Sequence, residues 1–359
     1  MVRYSIFYGR LTYVPIFLLS LFILFTLPKD FCLENARFTL SSIIQGEAAI
    51  FGVVITLSII SFQIASSRYS TIVIRIFTSS IDFLLISSVY VFSILIAIFT
   101  LQWNLTYKFL NLTYSLAIFC VISLIPYTIN TINLVNPITL IKQLTKGITK
   151  QKLIDGDPVS PIKIIIEESI ENNDYDKINK GLDLVITKVN RVIKEEFISR
   201  DSRGSISVDK VYHNLDLLSD KVIEKKQWAI IISLIKKLRD LAISSMEKDL
   251  PYISAVERIR NLYQKVTGWN NHFIKVATIH VLRDIGDKSI EKRKRDILTQ
   301  VIDLINVVGR DIEFQNRGNE VTYHLEELRQ AATGIRNFSS IIQQINGIIH
   351  DLLEEDSQT

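Results

Sequence analysis

The chain has 359 residues, of which 48% are hydrophobic, and a mean hydropathy of +0.26, too apolar for an ordinary soluble protein. Its 41 Lys and Arg nearly balance its 37 Asp and Glu, which leaves no broad basic excess for nucleic acid. Two cysteines exclude a disulfide framework and a four-cysteine zinc site, and Cys32 and Cys120 read as free thiols.

Charge is unevenly spread. Seven of the Lys and Arg (Arg3, Arg10, Lys29, Arg37, Arg68, Arg75, Lys108) and four acids (Asp30, Glu34, Glu47, Asp82) precede Pro137, so an apolar portion of residues 1–136 is joined to a charged remainder. A helix needs about 20 mostly apolar residues to span a bilayer core. Residues 11–27, 43–64, 83–103 and 109–130 meet that length, which predicts a transmembrane domain of four helices. The first span ends in "LPKDF" without a small-x-small site, so it reads as an uncleaved helix rather than a signal peptide.

Orientation follows from the excess of Lys and Arg on cytoplasmic loops. With the N-terminus inside, Arg3, Arg10, Arg68, Arg75, Lys142, Lys146, Lys150 and Lys152 are cytoplasmic, and Lys29, Arg37 and Lys108 are outside. The protein is thus expected in the cell membrane with both termini cytoplasmic. Trp103, Tyr107 and Tyr127 fall near the expected boundaries, and two glycosylation sequons, at Asn104 and Asn111, lie too close to the bilayer to carry weight.

The second span is the most informative. At about 100° per residue, Gln45, Ala49, Gly52, Thr56, Gln63, Ser67 and Ser70 form one narrow line, bordered by Ile59 and Ile60, while Glu47, Ser58, Ser61 and Ala65 form a second line opposite. Small and amide residues let membrane helices approach closely and hydrogen-bond, so the line fits helix packing. It also fits a pore wall shared by several copies, with Gln45, Gly52, Thr56, Ile59, Gln63, Ser67 and Ser70 lining the axis and Glu47 as a charge at the outer mouth. Homo-oligomerisation through the membrane portion is expected, because polar residues on both sides leave this helix too little apolar surface to face lipid. Arg68 and Arg75, seven apart, suit lipid phosphates at the inner boundary.

"GVVITLSIISFQIASSRYSTIVIRIF", residues 52–77, resembles the second crossing of an uncharacterised family of predicted prokaryotic multipass membrane proteins. Gln63, Ala65, Ser66, Ser67, Tyr69, Ser70 and Arg75 carry the resemblance, although the Pro-Arg pair usual after the last Ser is replaced by Thr71-Ile72. The family implies a membrane topology and no chemistry.

Residues 137–159 form an amphipathic linker in which Lys142, Lys146, Lys150 and Lys152 alternate with Leu140, Ile141, Leu144 and Ile148; the lysines face either an anionic leaflet or water. From residue 160 to 359 the apolar spacing is helical throughout, predicting a cytoplasmic all-α domain, a bundle or a stack of helix pairs. Ser160 with Pro161 suggests a helix start, Asp174 caps the next helix, and further helices are expected near 207–224, 227–249, 251–267, 270–285, 288–308 and 320–353. The junctions Asn172-Asn173-Asp174-Tyr175 and Lys225-Lys226-Gln227-Trp228 look alike, each leading to an aromatic suited to docking between helices. The basic run "KSIEKRKRD", residues 288–296, reads as a solvated helix face.

No phosphate loop, dinucleotide glycine pattern, nucleophile elbow or metal-ligand spacing is present, so neither catalysis, nor a metal, nor a cofactor is expected. The expected function is that of an integral membrane protein, either an oligomeric ion-conducting pore with a cytoplasmic regulatory domain or an anchored scaffold that recruits a cytoplasmic protein partner.

Overall fold

A computed structural model of the protein describes residues 33–68, 81–102, 107–197, 202–250, 253–269, 271–312 and 314–357, together with Pro15 and Leu18. Among the described residues there are fourteen α-helices and no strand, so the fold is all-α. The chain divides into two compact units, Met1–Gln143 and Leu144–Thr359.

The first unit contains α1 (Leu33–Arg68), α2 (Ile81–Gln102) and α3 (Tyr107–Val135), each packed against the other two. Three stretches are long and apolar enough to cross a membrane: Asn35–Ser61, Phe83–Gln102 and Lys108–Ile129. The predicted span at 11–27 lies outside the described residues, Pro15 and Leu18 apart. With 36 residues, α1 is about 54 Å long at 1.5 Å per residue, longer than a bilayer core. It starts ten residues before the predicted span because Leu33, Ala36 and Leu40 extend the apolar period; Ala36 and Leu40 pack with Leu110 of α3. A second core joins Val54, Ile86, Tyr90, Cys120 and Tyr127, with Phe51 stacked on Tyr90 at 5.7 Å between ring centres. Cys120 is a buried free thiol, as expected, while Cys32 lies outside the described residues. Asn111 faces inward and is buried, which removes its sequon from reach. After α3 comes α4 (Pro137–Lys146), amphipathic as expected, with Leu140 and Ile141 buried and Lys142 and Lys146 exposed.

The second unit begins with α5 (Lys150–Asp155), followed by α6 (Ser160–Glu171), α7 (Tyr175–Glu196), α8 (Ser202–Glu224), α9 (Trp228–Met246), α10 (Ile253–Val266), α11 (His272–Glu291), α12 (Arg295–Arg310), α13 (Phe314–Ala332) and α14 (Ser339–Ser357). Packing follows two rows. In one, α6, α8, α10, α12 and α14 touch in succession; in the other, α7, α9, α11 and α13 do. The helices thus stack in pairs, one of the two arrangements the sequence left open, and each buries its apolar stripe against near neighbours. In α12, for example, Ile297, Leu298, Val301, Ile302, Leu304, Ile305 and Val308 are all buried.

One turn recurs four times. Asn173, Lys226, Asp249 and Arg293 adopt the left-handed conformation, with φ between 53° and 55°. In each, the next residue's N–H reaches back five positions: Asp174 to Ser169 O, Gln227 to Val222 O, Leu250 to Ser245 O and Lys294 to Ser289 O. This is the six-to-one bond that closes a helix C-terminus. The two junctions that look alike in sequence are therefore the same turn. The run 288–296 contains another: it is not one helix face, since α11 ends at Glu291 and Arg293 reverses the chain.

Two other expectations shift. The break expected between the helices at 270–285 and 288–308 is absent because Gly286 lies inside α11, where an added Cβ would come within 2.7 Å of Leu328 Cδ2; the glycine marks a close approach of α13, not a chain reversal. The long helix expected at 320–353 is divided, with Gly334 at φ +88° separating α13 from α14. At the start of α6, the Asp157 carboxylate accepts from the N–H groups of Val159 and Ser160, so the capping group stands three residues before Ser160. Asp174 caps α7 as expected, accepting from Lys177 N at 3.2 Å.

Candidate functional site

The two lines of α1 have opposite surroundings. Ala36, Leu40, Glu47, Val54 and Ser61 are buried and face α2 and α3. Gln45, Ala49, Gly52, Thr56, Ile59 and Gln63 are exposed on the other side. Ser67 and Arg68 belong to the last turn of α1, and Ser70 and Arg75 lie outside the described residues. Thr56 turns its hydroxyl back to Gly52 O at 2.8 Å, which satisfies the group within the helix.

The outward faces of the other two helices differ in chemistry. On α2 the exposed large side chains are Phe83, Leu84, Val91, Phe92, Leu95 and Phe99; on α3 they are Val121, Ile125, Ile129 and Ile132. Both suit hydrocarbon. The outward face of α1 has exposed Phe38, Val53, Ile59 and Ile60 too, but among them it carries two amides, a hydroxyl and an open Gly52, whose added Cβ would meet nothing within 4 Å. Amides in hydrocarbon are costly unless another helix or water meets them.

Glu47, read from the sequence as a charge at the outer mouth, is buried inside the three-helix unit. It lies near the middle of the apolar stretch Asn35–Ser61 and is only 3% exposed, because α2 packs over it. Its Oε1 accepts from Ser93 Oγ of α2 at 2.7 Å, and its Oε2 has no hydrogen-bond partner. Nearby, Tyr90 donates to Cys120 O at 3.0 Å, and the Ser58 hydroxyl is bonded to that of Tyr127. Polar groups of all three helices therefore meet inside the unit. The sequence singles out Glu47 and Ser58 but does not pair them with Ser93 and Tyr127; Ser93, three residues from Tyr90 on one helical face, was the available signal.

The lysines named in the linker diverge. Lys142 and Lys146 are exposed on α4, whereas Lys150 lies over the Phe197 ring at 5.0 Å and its backbone N–H donates to Glu196 Oε2 at 2.9 Å. Lys150 thus helps fix α5 on α7.

In the second unit, polar side chains link successive helices. Lys237 of α9 pairs with Asp183 of α7, Arg239 with Asp284 of α11 at 2.8 Å, and Arg283 with Glu327 of α13 at 3.2 Å. A surface cleft lined by Asp157, Asp209, Lys210, His213 and Arg258 has its groups largely committed: Lys210 donates to Gly156 O at 3.0 Å, Asp157 accepts from Asn214 at 2.9 Å, and Arg258 pairs with Asp216. Burial pushes the Tyr212 phenol up and the Arg258 guanidinium down beside this cleft. Among the described residues no group of three or more His, Cys, Asp or Glu could hold a metal ion.

Aromatic residues open the helices of one row: Tyr175 in α7, Trp228 in α9, Phe273 in α11 and Phe314 in α13. The sequence suggests that Tyr175 and Trp228 dock between helices. Both are instead about half exposed, and Trp228 stacks against Phe273 with 6.2 Å between ring centres. No protein-family model, curated protein or solved structure matches the chain.

Proposed function

We propose that the protein is a multipass protein of the cell membrane that assembles into a homo-oligomer through the outward face of α1 and conducts ions along it. The observation that carries this reading is the contrast between that face, with Gln45, Gly52, Thr56 and Gln63, and the apolar outward faces of α2 and α3. Copies brought together by α1 would turn these groups toward one another or toward a water-filled axis, with Ile59 as an apolar constriction. Ser67 and Ser70 continue the line toward the cytoplasm, and Arg68, Arg75, Lys142 and Lys146 meet lipid phosphates there. In this arrangement the chain crosses the bilayer four times, with both termini and the second unit cytoplasmic, and works without a cofactor or catalytic chemistry.

Conductance tests the proposal. Full-length protein in planar bilayers should pass current, and Thr56→Leu or Gln63→Leu should change its amplitude. Exclusively monomeric protein in nanodiscs at every concentration would overturn it. Labelling of Cys32 and of Thr359→Cys from the same side of sealed vesicles would overturn the topology.

A second reading has its own support: a membrane-anchored scaffold that binds a cytoplasmic protein through the row begun by Tyr175, Trp228 and Phe273. It is favoured if no current appears under voltage or tension while the α1 substitutions only weaken assembly.

A further inference from the structure

The interior of the first unit holds a carboxyl group whose surroundings suit one charge state. Glu47 projects from α1 between α2 and α3, and Ser93 is its hydrogen-bond partner. An ionised carboxylate has about four acceptor positions, yet Oε2 is buried without any donor, and no described Lys, Arg or His forms an ion pair with it. An ion left in this condition within the thickness of a bilayer is strongly disfavoured.

The other titratable groups in this core do not relieve that cost. From α2, Tyr90 commits its proton to Cys120 O; from α3, Cys120 contributes a free thiol; farther along, Tyr127 is bonded to Ser58 of α1. Each of these groups gains negative charge if it ionises, so none can balance Glu47. A proton can. Added to Oε2, it converts the carboxylate and a hydronium ion into a carboxylic acid and water, removes the charge, and leaves Oε1 free to accept from Ser93 as it does now.

We propose that Glu47 is a proton-binding site inside the membrane-spanning unit, which takes up and releases one proton and so sets how tightly α1 is held against α2 and α3. With the acid neutral, α1 keeps the Ser93 bond without a buried charge; on proton loss, the charge is accommodated only if water or a cation enters, which requires the helices to separate. The inference does not rest on ion conduction: a pore, a scaffold or a transporter built on this unit would each contain the same group.

Dicyclohexylcarbodiimide reacts with protonated carboxyl groups shielded from water, adding to the acid and rearranging to a stable N-acylurea. Full-length protein in nanodiscs, treated across a pH series and analysed by peptide mass spectrometry, should carry the adduct at Glu47, with a yield that falls as pH rises. Absence of the adduct at every pH, or a yield independent of pH, overturns the proposal. Protection by sodium ions at fixed pH also overturns it, by identifying a metal-cation site in its place. Infrared difference spectra between acid and alkaline conditions supply a second measurement. A carboxyl C=O band should appear in the native protein and be lost in Glu47→Gln of unchanged helicity; a band that survives the substitution belongs to another acid and refutes the assignment.

Discussion

The side-chain amide of Gln227 donates to Asn173 Oδ1 at 2.7 Å, joining the turn before α9 to the turn before α7 across 54 positions of sequence. The same amide donates to Ile170 O at 3.0 Å, and Gln227 is buried. Two successive pairs of the stack are thus coupled through one side chain. Gln227→Leu removes both bonds, leaving the exposed Asn173 oxygen to water and Ile170 O with the Asn173 N–H, and should lower stability by about 0.5–1.5 kcal/mol. Chemical denaturation followed by helicity checks this, with Lys226→Ala, one position earlier, as the comparison.

Gly286 and Gly309 provide a matched test of packing. A Cβ at Gly286 meets Leu328 Cδ2 at 2.7 Å, and one at Gly309 meets Val321 Cγ1 at 2.8 Å. The leucine terminus can turn aside, whereas the β-branched valine has a stiff first torsion. Alanine also gains about 1 kcal/mol in a helix interior. Gly286→Ala should therefore be near neutral, while Gly309→Ala should cost about 1–3 kcal/mol through overpacking. Equal thermal shifts for the two variants would contradict this account.

Asp284 serves two guanidinium groups, Arg239 at 2.8 Å and Arg283 at 2.9 Å, and all three side chains are about 30% exposed. Exposed pairs are worth little singly, about 0.2–1 kcal/mol. Removing a shared acid affects two at once. Asp284→Ala should cost about 1 kcal/mol at low ionic strength, and most of that difference should vanish at 1 M salt. Denaturation curves at the two salt concentrations measure it.

His324 is buried in α13, its ring 4.6 Å from that of His280 and its Nδ1 3.2 Å from Glu327 Oε2. Burial holds its pKa below the usual value of 6.5, outweighing the hydrogen bond to Glu327; His280 and Arg283 act in the same direction as burial. The folded state thus binds fewer protons than the unfolded chain below that pH. This histidine costs nothing above about pH 6.5, and stability falls as pH drops from there toward the lower folded value. Thermal unfolding between pH 7.5 and 5 should show that decline, and His324→Gln should flatten it.

Much of this architecture could be read from apolar spacing. The spans at 83–103 and 109–130 differ from α2 and α3 by a few residues at each end, because uninterrupted apolar runs leave little else for the chain to do. The opposed lines of α1 were legible for the same geometric reason. What packs against each line was not, since helical periodicity gives angles within one helix and says nothing of its neighbours. Glu47 shows the difference: its angle was correct and its surroundings were unreadable, as Ser93 lies 46 residues away. The turns misled in a different way. Lys226 and Arg293 occupy left-handed positions that usually signal themselves with glycine, while Gly286 looks like a break and lies inside a helix.

The stack has a consequence for how the chain is made. Hydrogen bonds and ion pairs that join its successive layers span 36 to 57 positions, and each helix packs only on near neighbours. A layer therefore has all its contacts once the next one or two helices have left the ribosome. The apolar helices are synthesised first, so the nascent chain is held at the bilayer while α6 and those after it assemble in order. A truncated product ending after any complete pair would keep the earlier layers folded and differ mainly in an uncovered last face.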